Sequence, residues 1–318
     1  MTARTTDLET PAVTVHLDVM EDNIRRVQAH LDRHRVANRP HIKTHKIPAI
    51  GKMQMAAGAV GITCQKLGEV EVFAAAGVAD DVLLTYNILG PAKTERLMAL
   101  AARVPRLTVV LDNEVVAGEL AEAARRAQRT LPFLIECDTG FRRTGVQTPD
   151  EALTLARQAT ARPGLHFKGL MTFPNRDPDT REFFEAALPL FARAGLTVAS
   201  GTATWEQCAM RVRATVVSRP TDDRGVLDAG SKVLTSDLYH MKGYGHLMEY
   251  PEAQVAHLSE EHAVVDFSAC AERPKVGEVV SVVPNHCCVV TNMVDEVYGV
   301  RHGGVEVTWP VAARGRVR

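Results

Sequence analysis

Lys43 stands between two histidines in Arg39-Pro40-His41-Ile42-Lys43-Thr44-His45-Lys46, a short strand-like run placed directly ahead of a helix. An ε-ammonium held near other cations and half-removed from water has its pKa lowered. The neutral amine so produced can condense with a carbonyl such as that of pyridoxal phosphate. Taken alone, the octapeptide reads first as a basic surface turn. A second constellation, His286-Cys287-Cys288, follows the strand-like run Val279 to Val283 and the turn Pro284-Asn285. In an extended chain positions 286 and 288 point the same way, so an imidazole and a thiolate could share one divalent ion and leave it open. A surface histidine beside a buried thiol would spell the same tripeptide. The third, Asp138-Thr139-Gly140-Phe141-Arg142-Arg143-Thr144-Gly145, offers a carboxylate and an arginine to orient an anionic ligand, or else a glycine-punctuated turn with solvated charges.

These residues need elements to place them. From about residue 40 to 200 the chain alternates short β-rich runs with amphipathic stretches. The runs are 41–44, 61–64, 82–86, 107–111, 133–137, 167–173 and 196–199; the stretches include 21–33, 92–103 and 114–128, with apolar residues at three and four positions. Thr148-Pro149-Asp150-Glu151 marks a helix start, with a capping hydroxyl, proline at the first position and a glutamate three residues after the cap. Such alternation predicts parallel β/α units closing into a barrel, with the Asp138 segment at the end of the fifth strand, where active sites of barrels gather. After Glu206 the character changes. The stretches 210–218, 225–228, 253–258, 263–267, 276–283, 289–300 and 305–311 are all strand-like, so a β-rich domain over 206–318 is expected to follow a barrel domain over 1–205.

Composition narrows the function. With 37 basic and 38 acidic residues interspersed and a net charge of −1, the chain shows no electrostatic footprint for nucleic acid or an anionic membrane, and a small-molecule ligand is expected. No apolar run approaches the roughly twenty residues of a membrane span. The first nine residues lack the apolar core of a signal peptide, so a cytoplasmic protein is expected. Cys64, Cys137, Cys208 and Cys270 sit singly and form no secreted disulfide framework, which predicts reduced core thiols.

Taken together and in this order, these segments resemble the D-threonine aldolase and D-serine dehydratase family. That family is similar to alanine racemase in joining a pyridoxal phosphate barrel to a β domain. In the first half the likeness rests on residues 39–46, Cys64-Gln65-Lys66-Leu67-Gly68-Glu69, Tyr86-Asn87-Ile88, Asp138-Thr139-Gly140 with Arg143 and Gly145, and Gly169 to Pro174. In the second half it rests on Asp228 to Lys232, Gly243 to His246, Glu249-Tyr250-Pro251, His286-Cys287-Cys288 and Trp309 to Gly315. The resemblance implies Lys43 as the lysine that binds the cofactor, Arg143 beside the cofactor's phenolic oxygen, Gln65 and Tyr86 in the pocket, and His286 with Cys288 as a metal pair. A thiolate ligand favours zinc, with manganese as the other expected ion.

The chain also departs from that family. Its members carry a glycine-rich phosphate loop after the seventh strand and then an eighth strand, whereas here Ala199 to Thr204 runs almost at once into Trp205 to Met210. The expected fold is therefore a TIM-type β/α barrel lacking its eighth strand, followed by a β-rich C-terminal domain. Ser200-Gly201-Thr202 is what remains of a phosphate cradle, or a generic turn. The resemblance implies a homodimer and a lyase acting on D-configured β-hydroxy amino acids: an aldolase releasing glycine and an aldehyde, or a dehydratase acting on D-serine or 3-hydroxyaspartate. His45 is the candidate base. A degenerate, non-catalytic family member, or a hydrolase with His41 and His45 as metal ligands, would need the same residues for other ends.

Overall fold

Parallel strands linked by helices require apolar runs covered on both sides, and the computed structural model, which describes residues 4–173, 179–192, 209–238 and 241–316, realises that pattern in its middle third. The chain divides into two compact units. One is β-rich and comprises Lys43–Ala57 with the described residues of Met1–Arg33 and Thr202–Gly315; the other holds His34–Ile42, the described residues of Gly58–Gly201, and Arg316.

The β-rich unit opens with β1 (Ala12–His16) and α1 (Leu17–Arg33), and takes in α2 (Pro48–Ala56). β1 alternates Val13 and Val15 into the core with Thr14 and His16 opposite, a two-residue period that marks it as a strand. It lies in the centre of the sheet, antiparallel to a strand of the C-terminal half and parallel to another. The N-terminal residues thus belong with the β sheet, and not with the barrel half to which their place in the sequence pattern points.

The second unit runs β2 (Ile62–Cys64), α3 (Leu67–Ala75), β3 (Asp81–Leu84), α4 (Pro91–Ala101), β4 (Arg106–Leu111), α5 (Glu114–Arg126), β5 (Leu131–Cys137), α6 (Pro149–Thr160), β6 (Leu165–Thr172) and α7 (Asp179–Ala192). The five strands pair in parallel in sequence order. The start of α6 is the capping box read from the sequence: Thr148 Oγ1 accepts the Glu151 amide at 3.2 Å and the Glu151 carboxylate accepts the Thr148 amide at 3.3 Å. Asn113 caps α5 in the same manner, accepting from Val116 at 3.0 Å. One expected strand needs correction here, and another goes untested. Residues 41–44 form a single bridge, His41 to Thr63, and then a 3-10 turn over Ile42–Thr44 in which Ile42 is wholly buried. The expected strand 196–199 lies outside the described residues.

The remaining strands complete the β-rich unit: β7 (Met210–Ser218), β8 (Arg224–Leu227), β9 (His246–Leu247), β10 (Gln254–Leu258), β11 (Ala263–Asp266), β12 (Val279–Val283), β13 (Glu296–Arg301) and β14 (Gly304–Pro310), with short helices α8 (Ser231–Leu234) and α9 (Cys287–Met293). Residues 289–300, expected as one strand, are split. The first part is α9, where Val290 and Thr291 are fully buried, and only Glu296–Arg301 is extended. The apolar core of this unit gathers Val13, Val15, Ile47, Val212, Val255, Val280, Val282 and Val290. No helix among the described residues is long and apolar enough to cross a membrane.

Candidate active site

Lys43 lies half-buried on the 3-10 turn, one residue after the buried Ile42. Two residues on, His45 Nδ1 accepts the Ile47 amide at 3.1 Å and so serves the start of α2, whose N-cap residue Ile47 has no acceptor of its own. His45 is buried, and that burial, with the Lys46 charge behind it, brings its imidazole down to about 4. The neutral ring therefore keeps its proton on Nε2, because its Nδ1 lone pair is committed to the backbone. Lys46 bends the chain at φ 56, and its carbonyl accepts the Ala313 amide at 3.2 Å.

After β12 the chain does not stay extended through Cys288. His286 is extended, at φ −142 and ψ 95, but it is the N-cap of α9, and Cys287 and Cys288 are its first helical residues. The histidine and the thiol meet because an N-cap side chain folds over the first turn of its helix, not because they share a strand face. His286 Nδ1 lies 2.6 Å from Asp237 Oδ2, and the same ring hydrogen-bonds the Cys288 thiol. Cys288 is pulled down to about 6. The Cys287 hydrogen bond contributes most; burial opposes it, and the His286 and Lys43 charges assist. For His286, burial is outweighed by Asp237 and Cys288, which hold the imidazole above its usual range. Thr291 Oγ1, fully buried, lies 3.3 Å from the Thr44 carbonyl and 3.1 Å from that of Cys288, fastening α9 to the lysine turn. Lys43, His286 and Cys288 are thus gathered in one unit.

A thiol poised to ionise beside an imidazole whose far nitrogen meets a carboxylate is a donor set that fits a soft-to-borderline divalent ion. Among the described residues no group of three or more His, Cys, Asp or Glu side chains is arranged to enclose a metal. The half-buried primary amine of Lys43 fits the carbonyl of pyridoxal phosphate.

The barrel unit carries the other expected residues at the C-terminal ends of its parallel strands. Gln65 follows β2; its Oε1 lies 3.2 Å from His41 Nε2 and its Nε2 donates to the Thr85 carbonyl at 2.8 Å. His41 is thus tied to Gln65 within this unit. Tyr86, after β3, is 40% exposed, with the Lys66 ammonium 3.3 Å from its ring centroid and its hydroxyl held below the usual range by Lys66.

After β5, Asp138 spends its carboxylate on its own loop: it accepts amides of Gly140 at 2.8 Å, Phe141 at 2.9 Å and Arg143 at 3.0 Å. Burial pushes this carboxyl up, but those hydrogen bonds hold it below the ordinary range. The loop closes at Gly145, at φ 102, where a Cβ would lie 2.6 Å from the Asp138 nitrogen. Arg143 is exposed, its guanidinium 4.9 Å from the Phe173 ring centroid. Asp138 therefore shapes the loop that presents Arg143, and does not itself offer charge to a ligand. Ser200, Gly201 and Thr202 lie outside the described residues.

Sequence reasoning missed Asp237 and Thr291. Neither sits in a motif, and what selects them is the fold that brings residue 237 to residue 286 and residue 291 to residue 44. It also missed Asp112 after β4, which accepts from Asn87 Nδ2 at 2.8 Å and from the Gly145 amide at 2.9 Å, knitting three strand ends together.

Known proteins are similar to this chain over nearly its whole length. The family model of the alanine racemase N-terminal domain matches residues 15–209, and that of a putative serine dehydratase domain matches residues 209–300. A D-threonine aldolase from an Arthrobacter species is 32% identical, covering 97% of this chain and 93% of that protein. That alignment runs over 359 positions, against the 318 residues of this chain. The crystal structure of D-threonine aldolase from Filomicrobium marinum aligns with a TM-score of 0.84 at 30% identity, covering 100% of this chain and 98% of that one. A D-threo-3-hydroxyaspartate dehydratase from Delftia sp. HT23 aligns with a TM-score of 0.84 at 25% identity, covering 97% of this chain and 98% of that one.

Proposed function

The chain belongs to the D-threonine aldolase and D-serine dehydratase family of pyridoxal phosphate-dependent lyases, and on that premise we propose that it cleaves D-configured β-hydroxy amino acids into glycine and an aldehyde. One observation carries the reading. The turn bearing Lys43 is fastened through Thr44 and Thr291 to the helix bearing Cys288, whose thiol feels the Lys43 charge. An amine able to hold the cofactor and a donor pair able to hold a metal therefore share one rigid support.

Pyridoxal phosphate supplies a sink for the electron pair released at Cα, and a divalent ion supplies Lewis-acid polarisation of the β-hydroxyl. The protein's part is placement. Lys43 Nζ would hold the cofactor, and His286 and Cys288 would hold the ion; a thiolate donor favours zinc, with manganese the alternative. In the cleavage the hydroxyl oxygen loses its proton, the Cα–Cβ bond breaks with its electron pair left at Cα, and Cα then takes up a proton. His45 acts as a positioning residue and not as the base, because its basic nitrogen is occupied by the Ile47 amide. The family likeness assigns cofactor binding to Gln65, Tyr86 and Arg143 of the barrel unit and to Ser200-Gly201-Thr202 in the sequence. A homodimer in the cytoplasm completes the reading.

Dehydration is the second reading, favoured by the likeness to the Delftia dehydratase. Here the Lys43 amine would take the Cα proton and the β-hydroxyl would leave, protonated, as water; hydrolysis of the resulting enamine by a second water gives the 2-oxo acid and ammonia. Incubating the protein with cofactor and zinc or manganese, then assaying D-threonine, D-serine and D-3-hydroxyaspartate, separates the two. Glycine and aldehyde are expected; oxo acid and ammonia alone would assign the dehydratase, and no product from any of the three would overturn both readings.

A further inference from the structure

Asp237 belongs to no chemical motif of the sequence, yet the chain around it is built to deliver it to His286. Its Oδ2 stands 2.6 Å from His286 Nδ1. The neighbouring residues repeat the join: Asn285 Nδ2 donates to the Leu238 carbonyl at 3.1 Å and to the Gly243 carbonyl at 2.8 Å. Two consecutive residues after β12 thus grip two consecutive residues beyond α8. Upstream, Thr235 is buried at a positive φ of 65, and its hydroxyl accepts the Asp237 amide at 3.4 Å. A non-glycine residue held there reflects a segment whose path is imposed by its surroundings.

A carboxylate at Nδ1 has two effects on an imidazole. It fixes the proton on Nδ1, which leaves the lone pair on Nε2, and it stops rotation of the ring about its stem. We propose that Asp237 is the positioning residue of the metal centre, holding His286 in the tautomer and orientation that present Nε2 beside the Cys288 sulfur, and thereby setting the affinity for a divalent ion. The inference rests on the reading of His286 and Cys288 as metal ligands.

The test uses the full-length protein titrated with cobalt(II), whose thiolate ligation gives a charge-transfer absorption band. Asp237→Ala is expected to weaken cobalt binding by roughly 10–100-fold. Asp237→Asn keeps an acceptor for the Nδ1 proton without the charge and is expected to fall between Asp237→Ala and the wild type. In the wild type a nitrogen-15 spectrum should show the His286 proton on Nδ1, and Asp237→Ala should lose that preference, a change that general loosening of the loop would not single out. If Asp237→Ala lowers the thermal midpoint, Asp237→Asn carries the test. Wild-type affinity in both variants overturns the inference while leaving the metal reading intact. Absence of the thiolate band in the wild type overturns the metal reading, and the inference with it.

Discussion

Protonation of His45 gives a stability change that can be worked from the structure. The ring is buried beside Lys46, with Nδ1 accepting the Ile47 amide, and its pKa is brought from 6.5 down to about 4. In the unfolded chain it returns to about 6.5. Between those values the unfolded state binds the extra proton, so stability rises with pH across this window and is fully present above it. As pH falls, this one group should remove about 2 kcal/mol by pH 5 and about 3 kcal/mol by pH 4, since each full pH step inside the window is worth about 1.4 kcal/mol. The experiment is urea unfolding of the wild type and His45→Asn at half-unit steps from pH 7.5 to 4.5. Asparagine places an oxygen near the Nδ1 position and does not titrate. His45→Asn should carry a constant penalty for lost packing, and the gap between the two proteins should narrow by about 2 kcal/mol toward pH 5. His16, also lowered to about 4, is present in both proteins and cancels. A gap that does not change with pH would refute the buried neutral ring and reopen His45 as a proton carrier.

Other outcomes follow from the same geometry. Lys43→Ala should abolish turnover and prevent borohydride from fixing pyridoxal phosphate to the protein, checked by intact mass. In metal-free protein, alkylation of Cys288 by iodoacetamide should rise through about pH 6, while Cys137, pushed up to about 12 chiefly by burial, should stay unreactive until the protein unfolds. Peptide mass spectrometry after timed quenching distinguishes the two thiols. Chelator treatment should remove activity and added zinc or manganese should restore it, with His286→Ala refractory to the rescue. Asp138→Ala strips an acceptor from three backbone amides, so it should cost about 1–3 kcal/mol in denaturant unfolding and raise proteolysis near Arg143.

Chemistry-bearing residues are legible in the sequence where their signal is local. The lysine octapeptide, His286-Cys287-Cys288 and the Asp138 loop are each a short motif bound to a strand end or helix start. Thr148-Pro149 announces α6 for the same reason: its cap is satisfied within four residues. What escapes is non-local. β1 shows the alternation Val13-Thr14-Val15-His16, but its place in the sheet depends on pairing with residues some two to three hundred positions away. α9 reads as a strand because Val289-Val290-Thr291 is β-branched and suits one by propensity, whereas burial of Val290 and Thr291 within a helical turn prevails. Asp237 has no local signal at all.

The central position of β1 has a bearing on how the polypeptide comes off the ribosome. This strand is synthesised some two hundred residues or more ahead of both its neighbours, β7 and β13. β1 must remain unpaired with them while the barrel half emerges, which makes the β sheet a late, high-contact-order step. A fragment beginning near residue 206 would lack its middle strand and present two raw sheet edges, so it should aggregate when expressed by itself. Supplying residues 4–33 in trans should restore its solubility.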